Sequence, residues 1–220
     1  MPTQRRTPLQ SRSRARVESI LDVAADVIAE NGLEALTTSA VAERSGISVG
    51  TLYQYFADRD AIIATLVDRH VETMNTRLVE DFSKLEKLTV SGLVEAAINS
   101  HANFYRETPA FVKMWLFGRV SNAIVGRQRK RNLELAKWLR TVADKFDLIT
   151  DDAPDLGGWF AVEIGDRVLE MAFRDSPNGD PEIIAAGAEM IASYLDRFST
   201  DKGRGGVEIA TLPTLGSPDA

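Results

Sequence analysis

Residues Leu36–Ile62 read LTTSAVAERSGISVGTLYQYFADRDAI, an order that parses into two short helices joined by a tight corner. Thr37 and Thr38 offer an N-cap for the first helix, and Val41 and Ala42 give it an apolar side. Gly46 stops it. Glycine tolerates the left-handed conformation that a sharp helix–turn–helix corner needs, and Ile47 can plug the angle behind it. Ser48 is the next N-cap and opens a second helix over Val49–Phe56, in which Leu52 and Phe56 face inward four residues apart. Val49, Gly50, Thr51, Tyr53, Gln54 and Tyr55 are left to point elsewhere. A solvated helix face would normally carry Lys and Glu, and this one has almost no charge. It suits a DNA groove, where a glutamine can read an adenine edge, a threonine methyl can touch thymine, and tyrosine hydroxyls can hold phosphates.

At Thr37-Thr38, Val41-Ala42, Ser45-Gly46-Ile47-Ser48, Gly50 through Phe56, and the Arg59-Asp60 step into the next helix, the sequence resembles the tetracycline-repressor (TetR) family of bacterial regulators. The resemblance covers roughly residues 15 to 65 with unbroken spacing, and beyond them it is one of layout only. Family members usually have lysine where this chain has Arg59, which still supplies a cation, and alanine where it has Ser45, which is still small. The DNA-contacting set that follows is Thr38, Ser39, Ser48, Val49, Gly50, Thr51, Tyr53, Gln54, Tyr55 and Arg59. Thr38, Tyr53, Tyr55 and Arg59 would hold phosphates. Val49, Thr51 and Gln54 would lie nearest the base edges, and Gly50 would let the backbone approach closely.

Composition sets the bounds. A chain of 220 residues with 44% hydrophobic content can bury a sizeable core as one large or two small domains. It has no cysteine, which excludes disulfides, thiolate nucleophiles and Cys-ligated zinc, and which is compatible with a reducing cytoplasm. The first residues carry no apolar run behind their arginines, and no later segment is apolar enough to span a bilayer, so a soluble, cytoplasmic protein without membrane attachment is expected. The net charge is −6, so positive charge for DNA must be local. Residues 1 to 16 hold five arginines (Arg5, Arg6, Arg12, Arg14, Arg16) and no acid, which fits both an arm laid along DNA and a disordered, solubilising tail.

Taken in order, the chain reads as all-α: a basic arm over residues 1–14, a three-helix DNA-binding domain over 15–60, a helical ligand-binding and dimerisation domain over 61–199, and a disordered tail over 200–220. Ser13–Asn31 forms the first, scaffold helix. A helix from about Arg59 to Leu85 links the two domains, because its apolar stripe meets no Gly or Pro, and such a helix can act as a lever. His70 lies on that stripe and reads as a packed histidine. Leu93–Glu107 follows, and then Ala110 to about Val120, with Phe111, Met114, Trp115, Leu116 and Phe117 within seven residues. A cluster this dense reads as core on general grounds, but it lies where the resembled family builds its ligand cavity. The resemblance therefore nominates Phe104, Phe111, Met114, Trp115 and Trp138 as an apolar lining, with His101 and Tyr105, and also Asn103, as polar anchors. The next helix, about Ser121–Phe146, carries Arg127, Arg129, Lys130 and Arg131, read as a solvated face or ion-pair partners for nearby acids.

The last two helices, roughly Asp155–Phe173 and Pro181–Phe198, are apolar on more than one side, so they need more than one cover. Packing against the same pair from a second subunit supplies it, with Phe160, Ile164, Val168, Met171, Ile184, Gly187, Ala188, Ile191 and Leu195 as the expected dimer interface. Chemistry-bearing motifs are missing: there is no phosphate loop, nucleophile elbow or zincin motif, and His70 and His101 belong to no metal-ligand spacing. No enzyme, metal or cofactor is expected. The sequence thus points to a homodimeric, ligand-responsive transcriptional regulator, by the resemblance a repressor released from a near-palindromic operator by a small molecule. The competing reading is a helical small-molecule carrier that no longer reads DNA.

Overall fold

A computed structural model describes residues 8–116 and 122–215. Its elements are α1 (Pro8–Asn31), a 3-10 turn (Leu33–Ala35), α2 (Thr38–Arg44), α3 (Val49–Leu52), α4 (Arg59–Ser83), α5 (Val90–Glu107), α6 (Pro109–Trp115), α7 (Asn122–Lys145), α8 (Leu156–Phe173), α9 (Pro181–Asp196) and α10 (Asp201–Gly205). The class is all-α: among the described residues the extended pairing amounts to two isolated bridges, Leu88 with Val207 and Ile149 with Ser199. Side-chain caps set many of the helix starts. Thr37 accepts from the Ala40 amide, Ser48 from Thr51, Thr89 from Gly92, and Asp180 from Glu182 and Ile183.

The chain divides into two compact units, residues 1–70 with 109–121, and residues 71–108 with 122–220. In the first, α1 packs on α2 and on α6. Ile20, Leu21, Ala24 and Ile28 of α1, Leu36, Val41, Leu52, Ile62 and Ile63 form a closed core with scarcely any solvent contact. Phe111 and Met114 of α6 are equally buried, with the Phe111 ring stacked 5.2 Å from Trp115 and 4.9 Å from His70. The domain boundary expected at residue 60 therefore falls differently, because the α6 aromatics complete the core of the N-terminal unit.

In the second unit, α8 packs against α7 and α9, and α9 against α5. Leu78 and Phe82 from the far half of α4 join Leu88, Leu93, Leu135, Trp138, Val142 and Leu148 in its core. The disordered tail expected over residues 200–220 is corrected in its described part, up to residue 215. Thr200 caps α10, Gly206 ends it at φ 85°, and Val207 pairs with Leu88. Ile209, Leu212 and Leu215 pack on the core, and the Trp138 indole N–H donates to the Pro213 carbonyl at 3.0 Å. Four apolar residues spaced through a Gly- and Pro-containing segment were enough to hold it down, although no helical period announces them. α1 begins at Pro8, so Arg12 and Arg14 of the expected basic arm project from a helix; Arg5 and Arg6, like Phe117, lie outside the described residues.

Candidate nucleic-acid interface and internal cavity

The corner at Gly46 has the left-handed backbone that the sequence demands, with φ 66°. The Gly46 and Ile47 amides bond back to the carbonyls of Glu43 and Ala42, which closes the turn between α2 and α3. The second helix is shorter than the expected Val49–Phe56: α3 proper ends at Leu52. The Gln54 and Tyr55 amides then reach three residues back, to Thr51 and Leu52, so Tyr53–Tyr55 continue as a tightened turn. Leu52 and Phe56 are buried beneath it, while Val49, Gly50, Tyr53 and Gln54 stand in solvent and Thr51 and Tyr55 are half-buried. Tyr53 is 52% exposed, unusual for a tyrosine with a core within reach.

Neighbouring hydroxyls organise this face. Ser48 Oγ caps the Thr51 amide at 3.0 Å and lies 2.8 Å from Thr51 Oγ1, and Thr38 Oγ1 lies 3.5 Å from the Tyr53 hydroxyl, joining α2 to the exposed turn. Ser39 is exposed one residue further along α2. Arg59 is the exception among the nominated residues. Its Nε donates to the Leu36 carbonyl at 2.7 Å and its second guanidinium nitrogen to the Leu33 carbonyl at 2.8 Å, so it braces the 3-10 turn. Below the face, Arg44 pairs with Glu30 of α1; each side chain draws the other toward its charged form, with the carboxyl below and the guanidinium above its ordinary range.

The second unit holds a cavity of about 130 Å³ between α5, α7, α8 and α9. Its wall is mostly aliphatic and small, with Val90, Leu93, Val94, Ala97 and Ile98 from α5, Leu135, Leu139 and Ala143 from α7, Gly157, Gly158, Ala161, Val162, Gly165 and Leu169 from α8, Ile191 and Leu195 from α9, and one aromatic ring, Phe198. The polar side chains on it are His101, Arg140 and Asp166. Of the seven residues nominated for a pocket, only His101 is on this wall. Phe111, Met114 and Trp115 belong to the other unit's core, Tyr105 packs edge-on against Phe173 at 5.5 Å, Phe104 is buried, and Trp138 lies against Phe82 at 5.6 Å. Asn103 is exposed and accepts from Arg106. Aromatic rings fill space, and a cavity opens where Gly and Ala leave it. The signal for it was the Gly157-Gly158, Ala161, Gly165 spacing on one face of α8.

Behind His101 and Asp166 is a buried polar network that the composition of α7 did not suggest. Arg131, only 6% exposed, donates to Asn132 Oδ1 at 3.1 and 2.9 Å and lies 3.6 Å from Asp166, while Asn132 donates to Asp166 at 2.8 Å and to Glu163 at 3.2 Å. Arg131 is thus the ion-pair partner that the basic run allowed for. Burial pushes the His101 imidazole down to about 4, and Arg131 pushes the same way. His70, half-buried in the other unit, is lowered to about 4 by desolvation and by Arg69.

The outer faces of α8 and α9 carry Leu156, Phe160, Ile164, Met171, Met190 and Tyr194, each at least 36% exposed. Phe160, Ile164 and Met171 were nominated for an interface. Val168, Ile184, Gly187, Ala188 and Ile191 were too, but they face inward, and Leu195 turns to the cavity. The inward turn has a cause: a Cβ on Gly187 would sit 2.4 Å from Val168, so this glycine marks where α8 and α9 touch.

Residues 20–66 match the family model of bacterial regulatory proteins, tetR family, and residues 88–199 that of the tetracyclin repressor-like C-terminal domain. A fatty acid metabolism regulator protein of Bacillus subtilis (strain 168) is 31% identical over 140 residues, 63% of this chain and 66% of that protein. The chain thus spans about two thirds of the length of that relative, and it spans less of other curated relatives. A TetR-family transcriptional regulator from Streptomyces coelicolor superposes with a TM-score of 0.66 at 28% identity, over 83% of this chain and 99% of that one. FadR from Bacillus subtilis, solved in complex with stearoyl-CoA, shares the fold with a TM-score of 0.64 at 20% identity, over 81% of this chain and 96% of that one.

Proposed function

The chain belongs to the TetR family of bacterial regulatory proteins, and from that premise we propose that it is a cytoplasmic, homodimeric transcriptional regulator that reads a near-palindromic DNA operator and is released by a small apolar effector. The observation that carries the reading is the exposed, uncharged face of α3 and its following turn, with Tyr53 and Gln54 in solvent above a sealed core of Leu52 and Phe56. A face that sheds neither its tyrosines to the core nor takes up charge is suited to a base-lined groove. Gln54 reads a base edge, Val49 and Thr51 make apolar contacts beside it, and Thr38, Ser39, Ser48, Tyr53 and Tyr55 hold phosphates. Arg12, Arg14 and Arg16, exposed on α1, supply cations that the net charge of the chain lacks.

Two heads require two subunits. The apolar strip Leu156, Phe160, Ile164, Met171 of α8 with Met190 and Tyr194 of α9 is the surface on which a second copy closes a four-helix interface. The cavity of the second unit receives the effector, whose class is set by the aliphatic wall. α4 is one continuous helix from Arg59 to Ser83, with Ile62 and Leu66 in the first core and Leu78 and Phe82 in the second. A ligand that displaces the far half of α4 thereby acts on the head. A hundredfold loss of DNA affinity needs only about 3 kcal/mol of differential ligand binding.

The test is selection of duplexes from a random library with the purified protein, followed by affinity measurements across a salt series. An enriched inverted repeat, bound with two subunits and weakened steeply by salt, is the expected outcome. Absence of enrichment, with small molecules still bound, would move the chain to the carrier reading.

A further inference from the structure

The polar groups on the cavity wall lie at two separate ends. Arg140 bonds the Ala153 carbonyl at 3.0 Å, beside Pro154, whereas His101 and Asp166 adjoin Arg131. Nine residues of α7 separate Arg131 from Arg140, about 13 Å at helical rise.

At the His101 end the donors and acceptors can be assigned. His101 Nδ1 is 2.8 Å from the Ala97 carbonyl, and a carbonyl only accepts, so Nδ1 carries the hydrogen. Burial keeps the ring neutral at physiological pH. Its other nitrogen, Nε2, is then a lone-pair acceptor. The second polar group on the wall at this end, Asp166, is a carboxylate, and carboxylates also only accept. The cation that balances it, Arg131, is not on the wall, and its nitrogens meet Asn132, Asp166 and the Met74 sulfur. This end of a mostly aliphatic cavity therefore presents two acceptors.

An acid placed there would meet two lone-pair groups and no donor, and a cation would meet Arg131 behind an already balanced carboxylate. A hydroxyl fits, since it can donate to either acceptor with no charge to desolvate. We propose that the cavity selects an apolar molecule bearing a hydroxyl, or a comparable neutral donor, that is buried against His101 and Asp166. This rests on the reading of the cavity as the effector site.

The full-length protein is titrated by calorimetry with three probes of matched chain: 1-decanol, its methyl ether and decanoate. The alcohol should bind at least about tenfold more tightly than the other two, since neither can donate to a buried acceptor. In the double variant His101→Leu/Asp166→Leu, which removes both acceptors, the preference of alcohol over ether should shrink toward unity while ether affinity is kept, and each single replacement should keep part of it. The wild-type ratio stands even if a variant fails to fold. Ether or decanoate binding as tightly as decanol would overturn the donor inference and leave the effector cavity in place. Binding by none of the three would overturn the cavity reading, and this inference with it.

Discussion

Arg59 shows what a single side chain can conceal. Its position next to the helix–turn–helix suggests a phosphate contact, but its guanidinium forks onto the carbonyls of Leu36 and Leu33, 23 and 26 residues away. No local pattern could announce such a pairing. Arg59→Ala should therefore destabilise the head by about 1–3 kcal/mol in the absence of DNA, measured by urea unfolding, and lysine should restore little because an ammonium cannot match the fork. An unchanged unfolding midpoint would return Arg59 to the phosphates. Gln54 is the opposite case, legible from the sequence and exposed in the structure. Gln54→Ala should relax base preference at one position of each half-site by about 1–3 kcal/mol, read from binding to a panel of single-base operator variants, and a loss that is equal for all sequences would deny it the reader role. His101 is lowered to about 4 from an ordinary value near 6.5, so the folded state disfavours its proton. Its stabilising contribution is complete above pH 6.5 and disappears as pH falls toward 4, where the unfolded chain takes up a proton that the folded one refuses. Thermal melts between pH 7 and pH 4 should show a decline that His101→Gln reduces, the share due to His70, which is lowered to about 4 as well, remaining.

At the scale of elements, legibility followed local chemistry. Ser48 and the Gly46 corner were readable because a cap or a positive φ is settled within four residues. The α6 aromatics and the cavity were not, because density of aromatic residues tells that a core exists but not which core. Phe111 and Trp115 close the N-terminal unit, and the cavity lies among the glycines and alanines of α8 instead. The faces of α9 were readable as two but not as inner and outer, since Ile184, Ala188 and Ile191 are as apolar as Ile183, Met190 and Tyr194. Contact between α8 and α9 decides it at Gly187. Gly187→Ala would put a methyl group 2.4 Å from Val168 and should lower stability by about 1–3 kcal/mol by calorimetry, whereas Gly165→Ala, with nothing within 4 Å of its added Cβ, should cost no more than about 1 kcal/mol. Equal effects at the two glycines would mean that the helices can slide apart at no cost.

For the whole molecule, the question is what covers the strip of Leu156, Phe160, Ile164, Met171, Met190 and Tyr194. Scattered apolar residues are normal on a surface, but six on the outer faces of two adjacent helices form the kind of patch that marks an interface. Phe160 lies mid-strip between Leu156 and Ile164, four residues from each, and it touches the Trp159 ring at 5.3 Å without being buried by it. Phe160→Glu should therefore leave the fold intact, with an unchanged helical spectrum and melting curve for the monomeric unit, while light scattering reports a shift from dimer to monomer. The consequence for DNA follows from effective concentration: a dimer delivers its second head to the second half-site as an intramolecular step, so losing it should weaken binding to a two-half-site duplex by about a hundredfold or more. Binding to an isolated half-site, which needs one head, should change by less than about threefold in the same variant, since additivity holds between distant sites. A variant that stays dimeric would show that another surface joins the subunits. A monomer with undiminished affinity for the full operator would mean that each head binds alone and that the inverted repeat is not read by a pair.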